Sequence, residues 1–96
     1  MRRLVIAAAL LVSGNALAQD APVPLKPGPG DDVVSTNCSL CHTSDYIVMN
    51  STFLTPDGWK AEVTKMRSAY GAPIDDATAA AIIAYLATQY AAAPKR

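Results

Sequence analysis

An all-α fold is predicted by three observations. Trp59, Val63, Met66 and Tyr70 recur at helical spacing, and Ala79, Ile82, Ile83, Leu86 and Tyr90 form a second such stripe. Each stripe begins after residues that cap helices and ends at Gly or Pro. No stretch alternates apolar and polar residues as a half-buried strand would, and no internal repeat is present. About three main helices are expected, in one domain spanning 31–96, after a leader (1–18) and an arm (19–30).

The leader reads as a secretion signal. Arg2 and Arg3 are its basic start, Leu4 to Val12 its unbroken apolar run, and Ala16-Leu17-Ala18 its small-x-small site, with cleavage before Gln19. That run is too short to span a bilayer. The arginines lack the extended polar context of a twin-arginine signal, and no cysteine follows the cleavage site, so general secretion without a membrane or lipid anchor is expected. The expected compartment is the periplasm. In the arm, prolines at 22, 24, 27 and 29 lock φ and remove donors, so the backbone should be extended, close to polyproline II. A flexible leader is favoured there over an arm laid across a partner protein.

The first helix should start at Asp31 or Asp32 as its cap, bury Val33 and Val34, and end in Cys38-Ser39-Leu40-Cys41-His42. This is the C-x-x-C-H pattern of c-type haem attachment. Two thiols at this spacing can add across the vinyl groups of one porphyrin, and the adjacent His42 then offers its imidazole as the proximal iron ligand. One covalent haem c is therefore expected. A redox dithiol would want a strand-to-helix junction, and none surrounds the motif. A structural zinc site would need four ligands, more than two cysteines and one histidine supply. A Cys38–Cys41 disulfide would close too short a loop to stabilise much. A chain this short also buries only a marginal core, and a tethered apolar disc would complete it.

Tyr46-Ile47-Val48-Met49 should cover the haem pocket, followed by a loop at Asn50-Ser51-Thr52. A second helix should start with Thr55 as cap, Pro56 in its first position and Asp57 near the positive end of the dipole. Gly71 and Pro73 end it. A third begins at Asp75 or Asp76 and stops before Pro94.

With the only histidine used, the second axial ligand must come from methionine or from outside. Met66, on a separate element, is favoured as distal ligand. Met49 is the alternative, but it would have to cross to the opposite haem face within seven residues of His42. An open position is the third reading. Trp59 either donates its indole N–H to a haem propionate or is an ordinary core aromatic. Arg67 reads as a solvated residue rather than a propionate partner. A backbone carbonyl near Thr55 or Pro56 is expected to accept from the other nitrogen of His42.

Beyond residue 18 there are six basic and eight acidic side chains. Nucleic-acid binding would want a basic face, so it is not expected. An open sixth position would make this a gas-binding or peroxidatic haem protein, and free thiols without haem a dithiol oxidoreductase.

Taken together, these features resemble the class I cytochromes c. More narrowly, the chain resembles the small cytochrome c subunit of bacterial sulfite dehydrogenases (sulfite:cytochrome c oxidoreductases). The residues that carry this are the haem motif with Ser44-Asp45-Tyr46-Ile47, then Gly58-Trp59, Glu62-Val63 and Lys65-Met66. They continue with Tyr70-Gly71-Ala72-Pro73-Ile74 and Ile83-Ala84-Tyr85-Leu86. The resemblance implies a heterodimer. A molybdopterin-containing partner would oxidise sulfite, and this subunit, itself not an enzyme, would pass electrons singly to a soluble cytochrome c. A free-standing periplasmic cytochrome serving other partners is the alternative. Implied haem residues are Cys38, Cys41, His42 and Met66.

Overall fold

A computed structural model describes residues 21–94; the expected secretion signal lies outside them. Four helices make up the regular structure: α1 (Asp31–Cys38), α2 (Asp45–Asn50), α3 (Pro56–Ser68) and α4 (Asp76–Gln89). Among the described residues there is no strand, so the chain is all-α as the stripes predicted.

The two long helices start where their caps predict. The Thr55 hydroxyl accepts from the Gly58 N–H at 3.1 Å with Pro56 in the first turn, and the Asp75 carboxylate accepts from the Thr78 N–H at 2.7 Å. Beyond α3 the chain reverses at Gly71, whose φ of 69° suits glycine, and the Ala72 N–H donates to the Met66 carbonyl at 2.9 Å. Tyr70 thereby falls outside the helix and stands exposed, so the apolar stripe of α3 ends at Met66.

Helix α4 packs against both α1 and α3, which do not pack against each other. Its buried face is Ala79, Ile82, Tyr85 and Leu86, extended by Tyr90; Tyr85 joins the expected stripe and Ile83 sits at its edge. Opposite lie Val34 from α1, Ile47 from α2, and Trp59 and Val63 from α3. Short α2, where only apolar cover was expected, adds a fourth helix.

The start of α1 differs from expectation. Its N-cap is Gly30, with φ 95°, and neither Asp31 nor Asp32 caps it. A side chain at Gly30 would meet the Tyr85 Cβ at 3.1 Å and the Ala81 carbonyl at 3.3 Å. Backbone conformation and close approach to α4 both call for glycine here, which an acidic-cap reading of the sequence overlooks.

The arm is extended, as its prolines require, but it is docked on its own domain. The Tyr85 hydroxyl donates to the Lys26 carbonyl at 2.6 Å, and the Lys26 N–H donates to the Tyr90 hydroxyl at 2.8 Å. The Lys26 ammonium donates to the Gln89 carbonyl at 2.9 Å and lies 4.9 Å from the Tyr90 ring centre, while Leu25 packs on the core. The flexible-leader reading therefore gives way for Val23 to Gly30.

Gly30→Ala is expected to cost about 1–3 kcal/mol, from the left-handed conformation and the contact with α4. Denaturant unfolding of the haem-loaded protein measures it; unchanged stability would mean that this approach does not set the α1–α4 distance.

Candidate haem site

The site is built from the end of α1, the turn after it, and the inner face of α3. Val34, fully buried, fixes α1 on α4, and the helix stops at Cys38. Cys41 and His42 fall in the following turn rather than in the helix, with the Cys41 N–H on the Cys38 carbonyl at 3.4 Å. The two thiols are free, Cys38 half-buried and Cys41 exposed. Burial and the neighbouring Cys41 push the Cys38 thiol up from its ordinary value. Among the described residues no three His, Cys, Asp or Glu side chains cluster as a metal site.

One nitrogen of His42 is committed locally. Its Nδ1 lies 3.1 Å from the Thr43 carbonyl, which can only accept, so Nδ1 carries the proton and Nε2 keeps the lone pair that a metal would take. The acceptor is thus the adjacent residue, and the expected carbonyl at Thr55 instead receives the Trp59 N–H within α3. The Tyr46 ring, one turn on, lies 4.7 Å from the imidazole centre at 42°.

A cavity of about 490 Å³ opens beside this turn. Its lining brings together Cys38, Cys41, His42 and Met66, with Val63, Ile74 and Ile82 among its apolar walls. The volume is in the range of small-molecule and cofactor pockets. Two thiols, an imidazole nitrogen and a thioether are the donor set that a c-type haem takes, and the surrounding walls are the apolar surface it needs. The residues present fit the group. Met49 does not line this cavity and is 71 % exposed, so Met66 is the methionine that shares the space with His42. A second groove of about 890 Å³ runs from Pro22–Leu25 to the other side of the motif and contains no methionine.

Charge at the cavity is confined to one linked set. The Tyr46 hydroxyl donates to Glu62 Oε2 at 2.9 Å, and the Lys65 ammonium pairs with Oε1 at 2.9 Å. Lys65 holds the Glu62 carboxyl below its ordinary value against the opposing effect of burial, with the Tyr46 phenol helping. The sequence reading assigned nothing to Tyr46 beyond apolar cover, nor any site role to Glu62. Spacing held the signal: Tyr46 follows His42 by one turn, and Glu62 precedes Met66 by one.

Trp59 requires a correction. It is 0 % exposed, does not line the cavity, and its Nε1–H donates to the Tyr90 carbonyl at 2.8 Å. With its one donor engaged there, it serves the core and not a propionate. Arg67 pairs with exposed Asp76 at 2.7 Å, a surface contact as expected.

A protein-family model described as "Quinohemoprotein amine dehydrogenase A, alpha subunit, haem binding" matches residues 28–96, which include all four helices and every residue of the cavity. No curated protein matches the chain.

Trp59→Phe is expected to lower stability by about 1–3 kcal/mol, because the buried Tyr90 carbonyl loses its donor. The visible spectrum of the haem-loaded variant should stay that of the parent; a changed spectrum with unchanged stability would return Trp59 to the haem.

Proposed function

This chain belongs to the haem-binding family named for the quinohemoprotein amine dehydrogenase alpha subunit, and from that premise we propose that it is a c-type electron relay carrying one covalent haem. The convergence of Cys38, Cys41, His42 and Met66 on one cavity is the observation that carries this reading. When bound, the haem supplies a reversible ferrous–ferric couple. Cys38 and Cys41 tether it through thioethers, and His42 offers Nε2 while Thr43 holds the proton on Nδ1. Met66 offers its thioether, which favours ferrous iron and raises the potential relative to a second histidine. Val63, Ile74 and Ile82 would keep water from that couple, and with His42 and Met66 both holding the iron no position would be left to activate a substrate.

The donor in this reading is a molybdopterin-containing, sulfite-oxidising subunit in the periplasm, and the acceptor a soluble cytochrome c. Support for that choice is the likeness of the stretch from Gly58 to Ile74 to the small subunit of sulfite dehydrogenases. The family match favours a second donor, a quinone-cofactor amine dehydrogenase. Both readings use the same haem site and differ only in the partner. Reduction of the purified cytochrome by each candidate enzyme with its own substrate separates them. Sulfite-dependent reduction is the expected result; reduction by the amine enzyme alone would reassign the donor.

Met66→Leu should leave the haem attached, abolish the weak near-infrared band of sulfur-to-iron charge transfer and lower the potential. Met49→Leu should do none of these. The reverse pattern in absorption spectra and redox titrations would make Met49 the ligand.

A further inference from the structure

Helix α2 follows His42 immediately, yet it forms no helix–helix packing pair; α4 packs only α1 and α3. It is tied to the core by the buried Ile47 and the flanking Val48, to the arm by the Val23 N–H donating to Asp45 Oδ1 at 3.0 Å, and to α3 by the bond from the Tyr46 hydroxyl to Glu62 Oε2 at 2.9 Å. That bond has a particular position. At one end, the Tyr46 ring lies tilted on the His42 imidazole, 4.7 Å between centres. At the other, Glu62 precedes Met66 by one turn of α3, so the two side chains share a face of that helix. Tyr46, Glu62 and Lys65 all line the same cavity as the two candidate ligands. Lys65 holds Glu62 from its other oxygen at 2.9 Å, which fixes the acceptor in place. The path therefore runs from His42 through Tyr46 and Glu62 to the turn of α3 that bears Met66.

We infer that the Tyr46–Glu62 hydrogen bond is a latch that positions the two axial ligands against each other, holding the Met66-bearing turn of α3 closed over the segment that carries His42. The inference rests on the proposed ligation by Met66. Neither Tyr46 nor Glu62 touches iron in this account; both are positioning residues. The phenol donates to a carboxylate, among the stronger hydrogen bonds between neutral and charged groups. It joins two elements that no helix packing joins, so its loss lets Met66 leave the iron more readily while the core on α4 stays intact. A small outside ligand that must displace Met66 then binds more tightly, because the bond it competes with is weaker.

The test is the affinity of the ferric, haem-loaded protein for free imidazole, measured by absorption titration in the parent, Tyr46→Phe, Glu62→Leu and Glu62→Gln. Tyr46→Phe removes the donor with no change of ring shape. Glu62→Leu removes the acceptor, and Glu62→Gln keeps an amide oxygen that still accepts from the phenol. Imidazole affinity should rise about three- to tenfold in the first two variants, the range one net hydrogen bond spans, and stay within about twofold of the parent in Glu62→Gln. A rise below about threefold in Tyr46→Phe overturns the latch, even if its thermal stability falls, since a purely structural contact would lower stability alone. A rise in Glu62→Gln as large as in Glu62→Leu also overturns it, because charge and not the bond would then be responsible. The near-infrared band of the parent separates this failure from that of the underlying reading: without the band Met66 is not the ligand, whereas with it and no change in Tyr46→Phe the latch alone is wrong.

Discussion

Helix α4 is the element on which the site depends. α1 brings Cys38 and α3 brings Met66, and these two helices never pack on one another; each packs on α4. The width of the cavity between them is therefore set indirectly, by how closely each approaches α4. On one side Gly30 lets the α1 backbone come within contact distance of Tyr85 and Ala81. On the other Trp59, fully buried, packs in the core and donates to the carbonyl at the end of α4. Ile82 of α4 itself forms part of the cavity wall. A domain this small buries little apolar surface of its own, so a ligand that fills the space between two helices that do not pack on each other becomes part of its core.

The N-terminal arm belongs to the same arrangement. Lys26 is held by Tyr85 and Gln89 in the C-terminal half of α4 and by Tyr90 just beyond its end, and Leu25 covers the core beside them. Proline-rich backbone loses little entropy on docking, which suits a segment that must lie flat without secondary structure. Tyr90 then links the arm to α3, its hydroxyl taking the Lys26 N–H and its carbonyl taking the Trp59 indole. The arm, α4 and α3 are thus joined through one tyrosine.

Much of this was legible in the sequence because it is local. The caps at Thr55 and Asp75, the stripes of the two long helices and the haem motif are written within a few residues of where they act. The short chain between His42 and Met49 is likewise a local constraint, and of the two methionines it is Met66 that lines the cavity with His42. What sequence reasoning missed depends on contacts between distant residues. Asp31 and Asp32 look like caps, but the approach to Tyr85 selects Gly30. Trp59 offers an indole N–H whose partner lies 31 positions away, and the acceptor of His42 was sought near Thr55 or Pro56 when its own neighbour provides one. Short α2 lacks the length for a visible period, and the Tyr46–Glu62 bond crosses 16 positions between two elements.

The central claim is that His42 and Met66 face one iron across a cavity whose walls α4 holds apart. X-ray absorption at the iron edge of the purified protein tests it most directly. A sulfur in the first coordination shell beside the nitrogen donors, lost when Met66 is replaced by Leu and retained when Met49 is, is the result this account predicts. A first shell of nitrogen and oxygen alone in the unaltered protein, or no iron at all, would contradict it.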